Sequence, residues 1–261
     1  MTDYLNIDLT NPGHFFACCG LLEMAYALNG DAEGWFEDGI FKIRAGEVDV
    51  EHILSVLQKM EITSLGDKID APISLTLDSP FLNYRLDWWE EDTPSNCKTL
   101  KTWAGRQKVV NIAKDMQESS KLFECPTQEI LKKQVHGVNN GIGFYFDSKI
   151  GDLGGALDVG FSFNKIKSGR VEIKKSCLIK VKPFLELLAL IGIQRFRPLD
   201  LGSGKFVYVI WLKPNRPILA SMSTCGAIQL QGSKSYVFSL HYVTEYLKRF
   251  CSSKRLGEIY E

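Results

Sequence analysis

The sequence predicts an α+β protein built from antiparallel sheets and helices, and three observations predict it. The first is Asn11–Leu28, a stretch apolar almost throughout, with an alternating segment before it and strand-like segments after it. The second is the succession strand, helix, strand, strand, helix, strand over residues 1–80. The third is an echo: Ala189-x-x-Gly192-Ile193 repeats Ala17-x-x-Gly20-Leu21, each behind a proline and each followed by strands. The β-α-β-β-α-β succession is that of a ferredoxin-like or RRM-type unit. Two such units are expected, over residues 1–94 and 142–261, with a helical insertion at 95–141 between them.

Taken in order, Tyr4–Leu9 alternates Leu5, Ile7 and Leu9 with Asn6 and Asp8, the pattern of a half-buried strand. Asn11 is a good N-cap and Pro12 a natural first helical residue, since proline has no N–H to leave unpaired there. From Phe15 to Leu28 only Glu23 is charged, so this helix must be buried nearly all round. It is shorter than the roughly 20 residues a membrane span needs, and Asn29-Gly30 stops it. Trp35–Phe36 and Ile40–Arg44 are expected as strands joined by an Asp38-Gly39 hairpin turn. Asp49 caps a short amphipathic helix with Ile53, Leu54, Leu57 and Met60 on one face, and Ile73, Leu75 and Leu77 alternate as a strand.

Beyond residue 80 the segment Asp87–Asp92, DWWEED, is apolar and then acidic. Lys98–Gln117 predicts a helix with a stripe of Leu100, Trp103, Ala104, Val109 or Val110, Ile112, Ala113 and Met116. A short helix is expected near Thr127–Gln134. Strands Ile142–Phe146 and Leu157–Phe163 bracket the glycine-rich Gly151–Gly155, and Lys165–Lys182 predicts a basic hairpin. The second apolar helix starts at Pro183, followed by strands at Gly204–Leu212 and Ala227–Leu230 and a last element over Tyr236–Phe250.

Composition narrows the function. With 31 basic and 31 acidic side chains the net charge is zero, so only local clustering can argue for a nucleic-acid partner. Two basic runs do. Ser95–Lys114 carries five basic residues and no acidic one, and Lys165–Lys182 carries seven against Glu172. Lys98, Lys101, Arg106 and Lys108 with Trp103, and Lys165, Lys167, Arg170, Lys174 and Lys175, are the candidates for phosphate neutralisation and base stacking. Arg195 and Arg197 extend the second run. The seven cysteines form no CxxC pair, and no signal peptide opens the chain, which points to a reducing cytoplasm.

Catalytic signatures are sparse. His14, His52, His136 and His241 lie far apart, with no HExxH and no Cys/His spacing for a metal. Gly151–Gly155 (GDLGG) is neither a P-loop nor a dinucleotide fingerprint. No metal or cofactor is expected, and His14 is the one weak candidate for an RNA-cleaving general base.

The segments NPGHFFACCGLLEMA, RLDWWEED with LKTWAGRQKVVNIAKDMQ, and ALDVGFSFN together resemble a subtype-specific protein of type I-U (also called I-G) CRISPR–Cas loci, in the Csb/Csx group. The resemblance runs over most of the chain and is strongest at Asn11–Ala25 and Leu100–Met116. It implies an effector-complex (Cascade) or accessory subunit in antiviral defence, with RRM-like, RAMP-type units. Such a subunit would bind CRISPR guide RNA or target DNA beside other effector subunits. In these systems base pairing reads sequence and protein holds the backbone. Two rival expectations are a guide-RNA-processing endoribonuclease and a protein-only adaptor that docks through DWWEED.

Overall fold

The computed structural model describes residues 2–65, 74–79, 82–91, 93–94, 96–103, 107–123, 125–138, 143–148, 180–242 and 248–257. These form an α+β structure of antiparallel sheets with five α-helices. Strand β1 (Thr2–Asn6) leads into α1 (Pro12–Asn29), then β2 (Glu33–Glu37), β3 (Ile40–Arg44), α2 (Val50–Lys59) and β4 (Glu61–Leu65). The expected caps are in place. Asn11 Oδ1 accepts the Gly13 N–H at 3.0 Å, and Gly30, at φ 71°, donates its N–H to Tyr26 O at 2.7 Å. Asp49 caps α2 by accepting the His52 N–H at 2.7 Å. Asp38 and Gly39 both have positive φ, 43° and 81°, the requirement of a tight hairpin turn whose twist suits its strands.

The second half repeats the order: β8 (Lys180–Val181), α4 (Pro183–Arg195), β9 (Leu199–Gly202), β10 (Lys205–Ile210), α5 (Pro217–Thr224) and β11 (Lys234–Tyr242). Both long apolar helices are buried on every side, α1 from Pro12 to Ala25 and α4 from Pro183 to Ile193. They bury one another. A Cβ on Gly20 would lie 1.9 Å from Leu188 O, and a Cβ on Gly192 would lie 2.1 Å from Phe16 O, so the two backbones meet at the paired glycines of the echoed motif.

The sheets divide differently from a four-stranded split βαβ unit. One sheet has the order β1-β3-β2, while β4 leaves it to pair with β5 (Ser74–Ser79), which in turn pairs with β6 (Leu82–Leu86). In the second half β9-β10-β11 continue into β12 (Lys248–Phe250), β13 (Lys254–Arg255) also pairs β11, and β8 pairs β7 (Val135–His136). Gly34 and Asn215 exchange both backbone hydrogen bonds, at 3.0 and 3.1 Å, and Trp211 Nε1–H donates to Gly34 O at 2.6 Å, which ties β2 to the segment after β10. Phe15 stacks on Tyr208 (centroids 4.3 Å) and on Phe36 (5.6 Å) inside one continuous apolar core.

Several expectations are corrected. Lys98–Gln117 is not one helix: a 3-10 turn spans Lys98–Leu100 and α3 spans Val109–Ser120. The Thr102 carbonyl accepts the Lys248 N–H at 3.0 Å and the Thr102 hydroxyl donates to Phe144 O, so this backbone serves the neighbouring strand instead of a helix. Thr127–Gln134 shortens to a 3-10 turn at Thr127–Glu129. Gly143–Phe146 is no strand, because the Phe144 and Phe146 N–H groups donate to Glu186 Oε2 at 2.8 and 3.4 Å. Ala227–Leu230 is no strand either: the N–H groups of Ala227 and Ile228 turn back to Met222 O, closing the end of α5. Trp88 and Trp89 are fully buried and meet Trp103 edge-to-face at 5.6 and 5.5 Å, so the two apolar residues of DWWEED belong to the core. The glycine-rich Gly151–Gly155, the strand Leu157–Phe163 and the basic hairpin up to residue 179 lie outside the described residues.

Candidate functional site

Three distant stretches converge on one open groove of about 680 Å³. The loop after β6 and its 3-10 turn supply Glu91, Lys98 and Lys101; the exit of α4 supplies Arg197 and Asp200; and the start of β12 supplies Lys248. Local bonds fix this geometry. Asn96 Oδ1 accepts the Lys98 N–H at 3.0 Å, and Cys97 N–H donates to Trp88 O at 2.6 Å, pinning the turn to the aromatic core. Arg197 Nη1 donates to Pro94 O at 2.8 Å. Lys248 enters through its bond to Thr102, and its Nζ lies 3.5 Å from Thr99 O and 5.2 Å from the centre of the Tyr242 ring.

The groove is electropositive. Among the described residues four cations face two carboxylates, and Glu91 is paired with Lys98 at the surface. The Lys101 ammonium stands 5.5 Å from the Trp103 ring. Its pKa is lowered by partial burial and then by the Lys98 and Lys248 charges. Like charges crowded into a half-buried groove cost free energy, and an incoming anion offsets that cost.

Of the residues expected to contact nucleic acid, the structure brings Lys98, Lys101 and Trp103 to this groove. Trp103 is only 3% exposed, so its ring belongs to the core and offers no open face for a base. Lys108 caps the start of α3, exposed, and does not line the groove. Arg106, Lys165, Lys167, Arg170, Lys174 and Lys175 lie outside the described residues. Lys248 was missed by the sequence reading; its one signal is the basic pair Lys248-Arg249 ahead of Phe250 in the last element.

His14 sits elsewhere, in a buried polar cluster at the N-terminal ends of α1 and α4. Its Nδ1 accepts the Asp8 N–H at 3.0 Å, which puts the proton of the neutral ring on Nε2. Burial, then the Lys182 charge, pushes its pKa down to about 4. The basic nitrogen is therefore already engaged by backbone inside a side chain only 2% exposed. Around it, Asn11 Nδ2 donates to Asp147 at 2.7 Å, Lys182 pairs with Asp147 at 2.5 Å, and Glu186 holds the Phe144 amide. This cluster clamps residues 143–148 between the two helices. His52, His136 and His241 are exposed on α2, β7 and β11.

A second cavity, of about 760 Å³, opens beside Asp8–Thr10 with Lys132, Lys254 and Arg255 in its wall; among the described residues none of the expected contact residues lines it. Among the described residues no three His, Cys, Asp or Glu side chains are grouped to hold a metal ion, and no helix is long and apolar enough to cross a membrane. No family model and no curated protein sequence matches the chain.

Proposed function

We propose that this chain is an effector-complex or accessory subunit of a type I-U (I-G) CRISPR–Cas system, which holds guide RNA or target DNA through its phosphates. The carrying observation is the groove itself: Lys98, Lys101, Arg197 and Lys248, from separate parts of the chain, surround one cavity. Sequence-independent backbone binding needs clustered cations on a concave surface and no catalytic constellation. The β-α-β-β-α-β order in both halves supports reading them as RRM-like, RAMP-type units in which the fourth strand has joined a different partner. Adjoining effector subunits and a cytoplasmic setting belong to the same reading.

The test has two parts. A low-salt pull-down of the tagged chain is expected to recover guide RNA with other effector subunits. Reversing charge at Lys101→Glu and Lys248→Glu together is expected to weaken RNA or DNA binding at least about tenfold and to flatten its salt dependence. Lys133→Glu, exposed and outside the groove, controls for net charge. Unchanged binding in the double variant removes the groove from the reading, and recovery of the chain alone removes the complex.

A further inference from the structure

Strand β11 alternates, and its inward row is Tyr236, Phe238, Leu240 and Tyr242. The first three are buried against the core, at 7, 2 and 8% exposure. The fourth continues the same row past the edge of the core and is 56% exposed. Opposite this row stand Phe250, paired with Leu240, and Lys248, paired with Tyr242. The ladder thus delivers an open aromatic ring and a groove-lining ammonium side by side, 5.2 Å apart.

An aromatic residue at a core-facing register position that emerges into solvent beside a cationic groove has the two parts of a single-strand binding site. The cations take the backbone and the ring takes a base, with little dependence on sequence. Trp103, the aromatic that the sequence favoured for stacking, is buried, which among the described residues leaves Tyr242 as the exposed ring next to the cations. The groove's volume of about 680 Å³ lies in the range of pockets that hold one small ligand, room for on the order of one or two nucleotides. In a duplex the bases are already stacked on each other and unavailable to a side chain.

Resting on the nucleic-acid reading above, we infer that the groove takes a single-stranded segment, with a phosphate on Lys101 and Lys248 and the adjoining base stacked on Tyr242. Tyr242 then discriminates single from double strands, and the lysines set the salt dependence.

The experiment is fluorescence anisotropy on the full chain with three probes: a ten-nucleotide oligouridylate, the same length of oligothymidylate, and a ten-base-pair RNA duplex, each at several salt concentrations. A single strand is expected to bind tighter than the duplex, and comparison of the first two probes tells RNA from DNA. Tyr242→Ala is expected to lose about tenfold of single-strand affinity at unchanged salt slope, while Tyr242→Trp keeps it. Lys248→Ala is expected to lower the slope by about 0.7. An unchanged thermal midpoint in Tyr242→Ala confirms that the exposed side chain is dispensable for folding. Duplex binding as tight as single-strand binding, or wild-type affinity in Tyr242→Ala, overturns the inference and leaves the groove as a nucleic-acid site. Absence of binding to all three probes overturns both.

Discussion

Glu186 and His14 are both buried, and burial acts on them in opposite directions. For Glu186 burial, followed by the nearby Asp147 charge, raises the pKa to about 8, so the carboxyl is mostly protonated at neutral pH. The folded state then holds a proton that the unfolded chain gives up near 4.5. Stability is therefore lost as pH rises from 4.5 through 8, by up to a few kcal/mol at about 1.4 kcal/mol per unit. Glu23, raised to about 7 mainly by burial, adds to that loss. For His14 the sign reverses: the unfolded chain takes up a proton near 6.5 and the folded one only near 4, so stability falls as pH drops across that window. Urea midpoints between pH 4 and pH 9 check both. Glu186→Gln is expected to flatten the loss above pH 4.5, and His14→Asn, which keeps an acceptor for the Asp8 N–H, the loss below 6.5. A variant whose profile runs parallel to wild type removes that residue from the account. The sequence placed His14 correctly in the first turn of α1. It gave no sign that the Asp147 and Lys182 charges act on it, because those residues lie well over a hundred positions away in the chain.

At the level of elements, the two long helices were legible from the proline that starts each and from their apolar sequences, and their small-residue echo marked where they meet. Gly20→Ala tests that contact. Alanine favours a helix over glycine by about 1 kcal/mol, yet its Cβ would meet the Leu188 carbonyl at 1.9 Å, a backbone atom that cannot step aside alone. Overpacking therefore wins, and a net loss of about 2 kcal/mol or more is expected in chemical denaturation. Gly192→Ala forces the same gap from the other side, so the double variant should cost less than the sum of the singles. Additive losses would mean that the glycines act through separate contacts. The helix expected over 98–117 failed for a reason that periodicity does not carry. Val109, Ile112, Ala113 and Met116 are buried on α3 as expected, but Trp103 turns into a cage of Trp88, Trp89 and Phe144, and Lys101–Trp103 is not helical. Lys248 escaped notice for a related reason: a tertiary bond from its N–H to the Thr102 carbonyl, with the β11–β12 ladder, brings it to Lys101.

For the whole molecule, the order of the first five elements was readable, but β4 was not expected, the strand read at Ile73–Leu77 being β5, and the assignment of strands to sheets was not readable either. Alternation says that a segment will pair; it does not say with which neighbour, and β4 pairs with β5 in place of joining β1. A chain ended at residue 141 would contain α1, α2 and α3 without α4. Such a chain is expected to bind a hydrophobic dye and to lose near-ultraviolet circular dichroism while keeping helical signal. A cooperative unfolding transition in that fragment would show that α1 can be buried without α4.

The glycine contact between α1 and α4 also sets a waiting time during synthesis. Asn29 ends α1 and Pro183 begins α4, roughly 150 residues apart, and at about 5–20 residues per second the interval is on the order of 10–30 s. Throughout it the nascent chain carries Phe16–Gly20 without the helix that finally covers them. A chaperone holding that strip would compete directly with α4, so its release would set when the core closes.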